Sequence, residues 1–208
     1  MSYVPGLEGV VVGETSISHV EGDLGRLSYR GVVIEDIVHM PYLQAAYLVL
    51  FGEIPEEGEL LLFKEYLHRF GRLSDAETRL IALMPTSVHP MQALQSVLSV
   101  VSLRDVRFRG RDMNASHGLQ ILAKYPSIIA ALHAARGGGA NPDRFSESSD
   151  YLERLLMMFT DEKPTSHELE TFRIVQLLQL DHSFNAGTFA SRVISSTLAC
   201  VPAVFAGA

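Results

Sequence analysis

The sequence predicts a mainly α fold with a small N-terminal β-hairpin, and three observations point to it. Helix start and stop signals recur along most of the chain, including two S/T-x-x-E capping boxes at Ser74/Glu77 and Thr165/Glu168. Apolar segments of helical length end on glycines, at Gly52 and Gly71. Only the first thirty or so residues alternate and are rich in Val, Ile, Ser and Gly, as strands and tight turns require. With 208 residues the chain can bury one sizeable core. The expected division is a hairpin region over 1–33 and a helical portion over 34–208.

In chain order, GVVVGETSIS and GRLSYRG read as two short strands joined by HVEGDL. Pro41 suits the first position of a helix through YLQAAYLVLF, which Gly52 closes. EEGELLLFKEYLHRF ends the same way at Gly71. SDAE starts a helix through TRLIALM, and Pro90 opens one through MQALQSVLSVVSL. Residues 112–136 read as one helix, broken or kinked at Pro126. RGGGANPDR, 136–144, is a loop. Thr165 and Glu168 lead into LETFRIVQLLQL, and a last helix starts near Asn185 and runs through FASRVISSTLA.

Hydrophobic residues make up 47% of the chain, charged ones 20%, and the formal net charge is −7. Lys64, Lys124 and Lys163 supply the ammonium groups, and no basic patch stands out. That argues against a nucleic-acid groove or an anionic membrane surface as partner. Cys200 is the single cysteine, so neither an intrachain disulfide nor a thiolate cluster can form. MSYVPGLEGV lacks the basic and apolar regions of a signal peptide. VISSTLACVPAVFAGA is too short, and too interrupted by Pro202, to span a bilayer. The expected location is the cytoplasm. After Arg192, sixteen residues carry no charge. Such an apolar end calls for cover, from further chain or from another subunit.

Chemistry is sought among a few residues. The eight histidines show no HxH, HxxxH or HExxH spacing, so no metal site is expected. No GxSxG elbow is present, and the triple glycine at 137–139 lacks a GK[ST] partner. His89 before Pro90 either closes a loop and caps the next helix or belongs to a site. Arg30, flanked by Tyr29 and Gly31, can fork onto an anion or bond carbonyls or a partner subunit. LDHSFNAGTFASRV, 180–193, is richest. Ser183 or Asn185 can cap a helix whose positive end suits Asp181. The same helix start favours an anion, and His182 could donate a hydrogen bond to a carbonyl or carboxylate held there.

LDHSFNAGTFASRV resembles the D-H-x-x-N-A-S-T-F-x-x-R-V segment of citrate synthases. Other segments are similar to that family in the same order: GLEGVVVGETSISHVEGDLGRLSYRGVVIEDI, AAYLVLFGEIP, HPMQAL, YPSIIAALHAAR and LLMMFTDEKP. The resemblance runs from about residue 5 to residue 205. It implies the large helical domain of that family, packed as a two-fold homodimer. It implies condensation of acetyl-CoA with oxaloacetate to citrate and CoA, with acetyl-CoA as a substrate and no cofactor. His182 matches the histidine that hydrogen-bonds oxaloacetate, and Asn185 a position that shapes the same pocket. Gly187 departs from the pattern, standing where the family has Ser or Thr.

The family's G-P-L-H-G-G-A segment, its second catalytic histidine, its aspartate base and its substrate-binding arginines have no counterpart in this sequence. On this reading the chain holds no catalytic residue. Alone it is expected to be incomplete and inactive, and to need a complementing chain that carries the HGG motif. A 2-methylcitrate synthase and a citryl-CoA lyase are the alternatives inside the family. Outside it stands a regulatory paralogue that pairs through helices over 90–103 and 112–136, or a helical domain unrelated to this chemistry.

Overall fold

The computed structural model describes residues 11, 13–146, 148, 150–160 and 162–208. A three-stranded antiparallel sheet opens the fold, with β1 (Ser18–Glu21), β2 (Arg26–Tyr29) and β3 (Val32–Val33) in that order. Ser18 faces Tyr29, Glu21 faces Arg26, and Ser28 faces Val33. The hairpin exists, but its register differs from the sequence reading. β1 keeps only Ser18 of the expected first strand and takes His19–Glu21 from the segment expected to be the connection, and residues 13–17 are not in strand. The cause is the turn: Gly22–Leu24 forms a 3-10 turn closed by Gly25 at φ 64°, a left-handed conformation natural to glycine. Arg30 and Gly31, at φ 51° and 82°, reverse the chain again and make the unexpected third strand. Residues 9, 10 and 12 of the expected first strand lie outside the described residues.

Helices follow, α1 (Ile34–Ile37) and α2 (Tyr42–Phe51) first. Pro41 is the N-cap of α2, one place before the first helical residue. Gly52 closes α2 at φ 85°, donating its N–H to Leu48 O at 2.7 Å. α3 (Glu57–Phe70) carries a capping box made by Glu56 and Glu59. α4 (Asp75–Leu83) has the expected box, with Glu77 N donating to Ser74 Oγ at 3.3 Å and Ser74 N to Glu77 Oε2 at 2.6 Å.

α5 (Pro90–Ser99) stops four residues before the expected end at 103. Ser96 and Ser99 turn their hydroxyls back onto the carbonyls of Gln92 and Gln95, at 2.8 and 2.9 Å, a habit that weakens a helix. Beyond them runs a non-helical segment, 100–112, whose backbone groups find side-chain partners. Ser102 N donates to Glu77 Oε1 at 2.9 Å. Arg104 N and O both engage the buried Gln120 amide, at 2.9 and 2.8 Å. Phe108 N donates to the buried Ser116 Oγ at 3.0 Å. These polar side chains do for the segment what a neighbouring strand would do.

α6 (Met113–Ala135) is one unbroken helix with Pro126 inside it. α7 (Tyr151–Phe159), α8 (Ser166–Leu178), α9 (Ala186–Ser196) and α10 (Val201–Gly207) complete the order. The capping box at Thr165/Glu168 starts α8 as expected, whereas α7 and α10 were not anticipated. The 136–144 loop contains part of a 3-10 turn, Pro142–Ser146.

α6 is the axis of the core. One side packs Leu94, Val97, Leu98 and Ile81 against Ile121 and Ile128, with Phe205 of α10 beside them. Another side meets aromatic rings from α2 and α3, where Tyr47, Phe63 and Tyr66 gather around Phe108. A third group joins the sheet to α1, α2 and α8 through Tyr29, Ile37, Leu48 and Leu177. That third group matters most for the site, because it fixes the end of α8 against the sheet.

Candidate functional site

α8 ends at Leu178, and α9 begins at Ala186. The stretch between them is short and tightly tied. Asn185 caps α9, its Oδ1 accepting from Thr188 N at 2.7 Å. Two of the sequence expectations meet here, since Asn185 rather than Ser183 is the cap. Ser183 instead sits at φ 56°, a left-handed conformation that costs a non-glycine residue about 1 kcal/mol. Asp181 holds that conformation through Oδ2, which accepts from Ser183 N at 2.9 Å.

The same Asp181 Oδ2 accepts a second bond, from Ser18 Oγ of β1 at 2.5 Å. A neighbouring tie runs from Tyr29 of β2, whose hydroxyl donates to Leu178 O at 3.1 Å. Burial pushes the Tyr29 phenol above its ordinary range, so the hydroxyl stays protonated and able to donate. Phe184 is the other inward anchor. A Cβ placed on Gly13 would lie 3.2 Å from its ring, and the Arg192 guanidinium sits 5.2 Å above it.

With Asp181 and Phe184 directed to the protein, His182 and Asn185 are exposed. The His182 imidazole is thus open to solvent, on the turn that leads into the N-terminus of the eleven-residue helix α9. That arrangement can hold a carbonyl or carboxylate and stabilise negative charge developing on its oxygen. A Cβ on Gly187 would lie 3.4 Å from Asn185 Oδ1 and 3.4 Å from Ala208 O. A small side chain there fits at ordinary contact distance.

The other candidates have structural duties. Arg30 donates from Nε to Val49 O at 3.1 Å and from Nη1 to Ser16 Oγ at 3.0 Å, so it ties the sheet to α2. His89 caps α5, its Nδ1 accepting from Met91 N at 3.2 Å. Cys200 is exposed and is the N-cap residue of α10. Among the described residues, no group of three or more His, Cys, Asp or Glu is placed to hold a metal ion. No described helix is long and apolar enough to cross a membrane.

Ser18 and Tyr29 are the site-supporting residues that the sequence reading missed. Each acts on the 178–185 stretch across roughly 150 residues or more of chain, and no local pattern marks such a contact. α9 itself buries none of its side chains, and Phe189 and Val193 remain 42% and 51% exposed. This apolar, amphipathic helix is thus uncovered on one side.

Comparisons with known proteins agree in direction. Residues 6–208 match the family model described as "Citrate synthase, C-terminal domain". The chain is 32% identical to a citrate synthase of Synechocystis sp. over 209 residues, 99% of this chain and 52% of that protein. It is 35% identical to a citrate synthase of Haloferax volcanii, over 93% of this chain and 52% of that one. It is 30% identical to a 2-methylcitrate synthase of Mycobacterium tuberculosis, over 98% and 52%. The chain thus spans about half the length of these relatives. In fold it is similar to the crystal structure of citrate synthase from Pyrobaculum aerophilum, with a TM-score of 0.84 at 24% identity, covering 97% of this chain and 53% of that one.

Proposed function

This chain belongs to the citrate synthase family, and from that premise we propose that it supplies one wall of a citrate synthase-type active site. The reaction is the condensation of acetyl-CoA with oxaloacetate. A base removes a methyl proton from acetyl-CoA, the resulting enol carbon adds to the ketone of oxaloacetate, and water cleaves the thioester. Citrate and CoA leave. Acetyl-CoA is a substrate, and the proposal calls on no cofactor and no metal.

The observation that carries this reading is the exposure of His182 on a turn pinned from behind by Asp181. In the proposed site His182 donates an N–H to the oxaloacetate ketone or to the carboxylate beside it. As the carbon–carbon bond forms, negative charge grows on the ketone oxygen, and a pre-aimed donor lowers the barrier. Asn185 shapes the pocket and fixes the start of α9. A single imidazole supplies neither the base at the acetyl methyl nor the cationic clamp that a dicarboxylate needs. Those groups come, in the proposal, from polypeptide outside these 208 residues, as a continuation of the chain or as a complementing chain. A two-fold homodimer is the expected assembly, and the cytoplasm the place of action. Formation of 2-methylcitrate and cleavage of citryl-CoA are the variants to be separated from citrate synthesis.

The test is an assay of thiol release. The native species that contains this chain, captured from its source cells, is expected to release CoA thiol only when acetyl-CoA and oxaloacetate are both present. The 208-residue chain alone is expected to release none. Thiol release that does not depend on oxaloacetate, or none from the native species, would contradict the proposal. A parallel assay with an acyl-CoA one carbon longer separates the 2-methylcitrate variant.

A further inference from the structure

We infer that Asp181 is the positioning residue of His182, and that it works as a clamp between the N-terminal sheet and the turn that presents the imidazole. The inference rests on the proposed role of His182 for its functional meaning, but its geometric content stands apart from that role. One oxygen, Oδ2, accepts both bonds: from Ser18 Oγ at 2.5 Å and from Ser183 N at 2.9 Å. The partners belong to distant parts of the chain. Ser18 begins β1, and Ser183 follows His182 directly.

Ser183 is the key to why this matters. Its φ of 56° is a conformation that serine leaves readily unless something fixes it. A relaxed Ser183 would swing the preceding peptide, and with it the direction of the His182 side chain. The bond from Ser183 N to Asp181 holds the turn locally. The bond from Ser18 holds Asp181 itself against the sheet. Without Ser18, Asp181 is a side chain on a loop with rotamer freedom. With it, the imidazole is referred to a rigid element. Precise placement of a hydrogen-bond donor is what a polarising group requires, since a displacement of about 1 Å can remove much of its effect.

Because both bonds end on one oxygen, the geometry separates shape from charge. Asparagine offers one carbonyl oxygen in the same place and can accept both bonds. Glutamate keeps the charge but carries its oxygens one methylene too far. Asp181→Asn should therefore preserve the position of His182, whereas Asp181→Glu and Asp181→Ala should lose it.

The experiment reads the His182 ring by NMR in the full 208-residue chain, with the Cε1–H resonance assigned by its loss in His182→Ala. The other seven histidines report on folding in the same spectra. In Asp181→Ala and in the milder Ser18→Ala, the His182 resonance is expected to move or broaden while the others stay in place. Asp181→Asn is expected to restore the wild-type position, and Asp181→Glu is not. An unmoved His182 resonance in both Asp181→Ala and Ser18→Ala overturns the inference. So does a pattern in which Asp181→Glu restores the position and Asp181→Asn fails.

A second readout connects the clamp to function. In the native species, Asp181→Ala is expected to lower kcat/KM for oxaloacetate roughly tenfold, the scale of one impaired hydrogen bond, and to leave the KM for acetyl-CoA unchanged. If the resonance moves and neither kcat nor the KM for oxaloacetate does, the clamp stands and the substrate role of His182 falls.

Discussion

Lys124 Nζ lies 2.7 and 2.8 Å from the two carboxylate oxygens of Glu77, and both side chains are buried, at 7% and 2% exposure. Glu77 also caps α4 and holds the backbone of Ser102. Lys124→Met should cost about 3–5 kcal/mol, because it strands a buried carboxylate. Urea unfolding at neutral pH checks this. Burial by itself pushes the Glu77 carboxyl up, but the bonds from Lys124, Ser74 and Ser102 outweigh it and hold the group below the ordinary glutamate value. A depressed acid adds stability above its unfolded pKa, about 4.3, and loses it as pH falls through the folded value. Wild-type stability should therefore drop below about pH 4 partly through Glu77.

Tyr29 makes the opposite case at high pH. It is fully buried, and burial raises its phenol above the ordinary value. Its contribution is complete below the unfolded pKa, about 10, and fades as pH rises from there through the folded value. Tyr29→Phe removes the bond to Leu178 O and should cost about 1 kcal/mol at neutral pH. The variant lacks an ionisable group at this position. The gap between the two proteins should therefore hold up to about pH 10 and shrink as pH rises beyond it in denaturant titrations.

Asn185 has two duties that substitutions can separate. Asn185→Ala removes the cap of α9 and should cost about 1 kcal/mol, read from the thermal midpoint. Asn185→Asp keeps an acceptor for Thr188 N and adds a negative charge to the positive helix end, so stability should hold. The same charge faces the proposed dicarboxylate. Oxaloacetate affinity of the native species should therefore fall in a variant that is not destabilised.

Leu198 is 93% exposed and sits at φ 61°, just past the end of α9. Its N–H still closes the helix onto Ser195 O at 3.0 Å. Glycine takes this conformation without strain, so Leu198→Gly should stabilise the 208-residue chain by about 1 kcal/mol. A shift in the urea midpoint, with unchanged slope, measures it.

Helix ends were readable because caps are local. Ser74/Glu77, Thr165/Glu168, Gly52 and Asn185 each act within a few residues, and the structure has each of them in its expected place. The failures share a different cause. The early end of α5 follows from serines bonding their own helix, and from Glu77, Gln120 and Ser116 offering distant partners to the next segment. The true strand register depends on a turn centred on Gly22–Leu24, inside a run that also reads as a connection. For the site, the pairing of an outward His182 with the Asn185 cap was visible in one stretch of sequence. The hold of Ser18 and Tyr29 on it was not, since it needs the folded sheet.

The most direct test of the central claim is thiol release from acetyl-CoA, dependent on oxaloacetate, by the native species carrying His182→Ala against the wild type. Loss of a pre-aimed donor to the developing oxyanion is expected to lower kcat by roughly a hundredfold to a thousandfold. Equal rates for the two proteins at saturating and at limiting oxaloacetate would show that His182 does not touch the substrate, and would contradict the account.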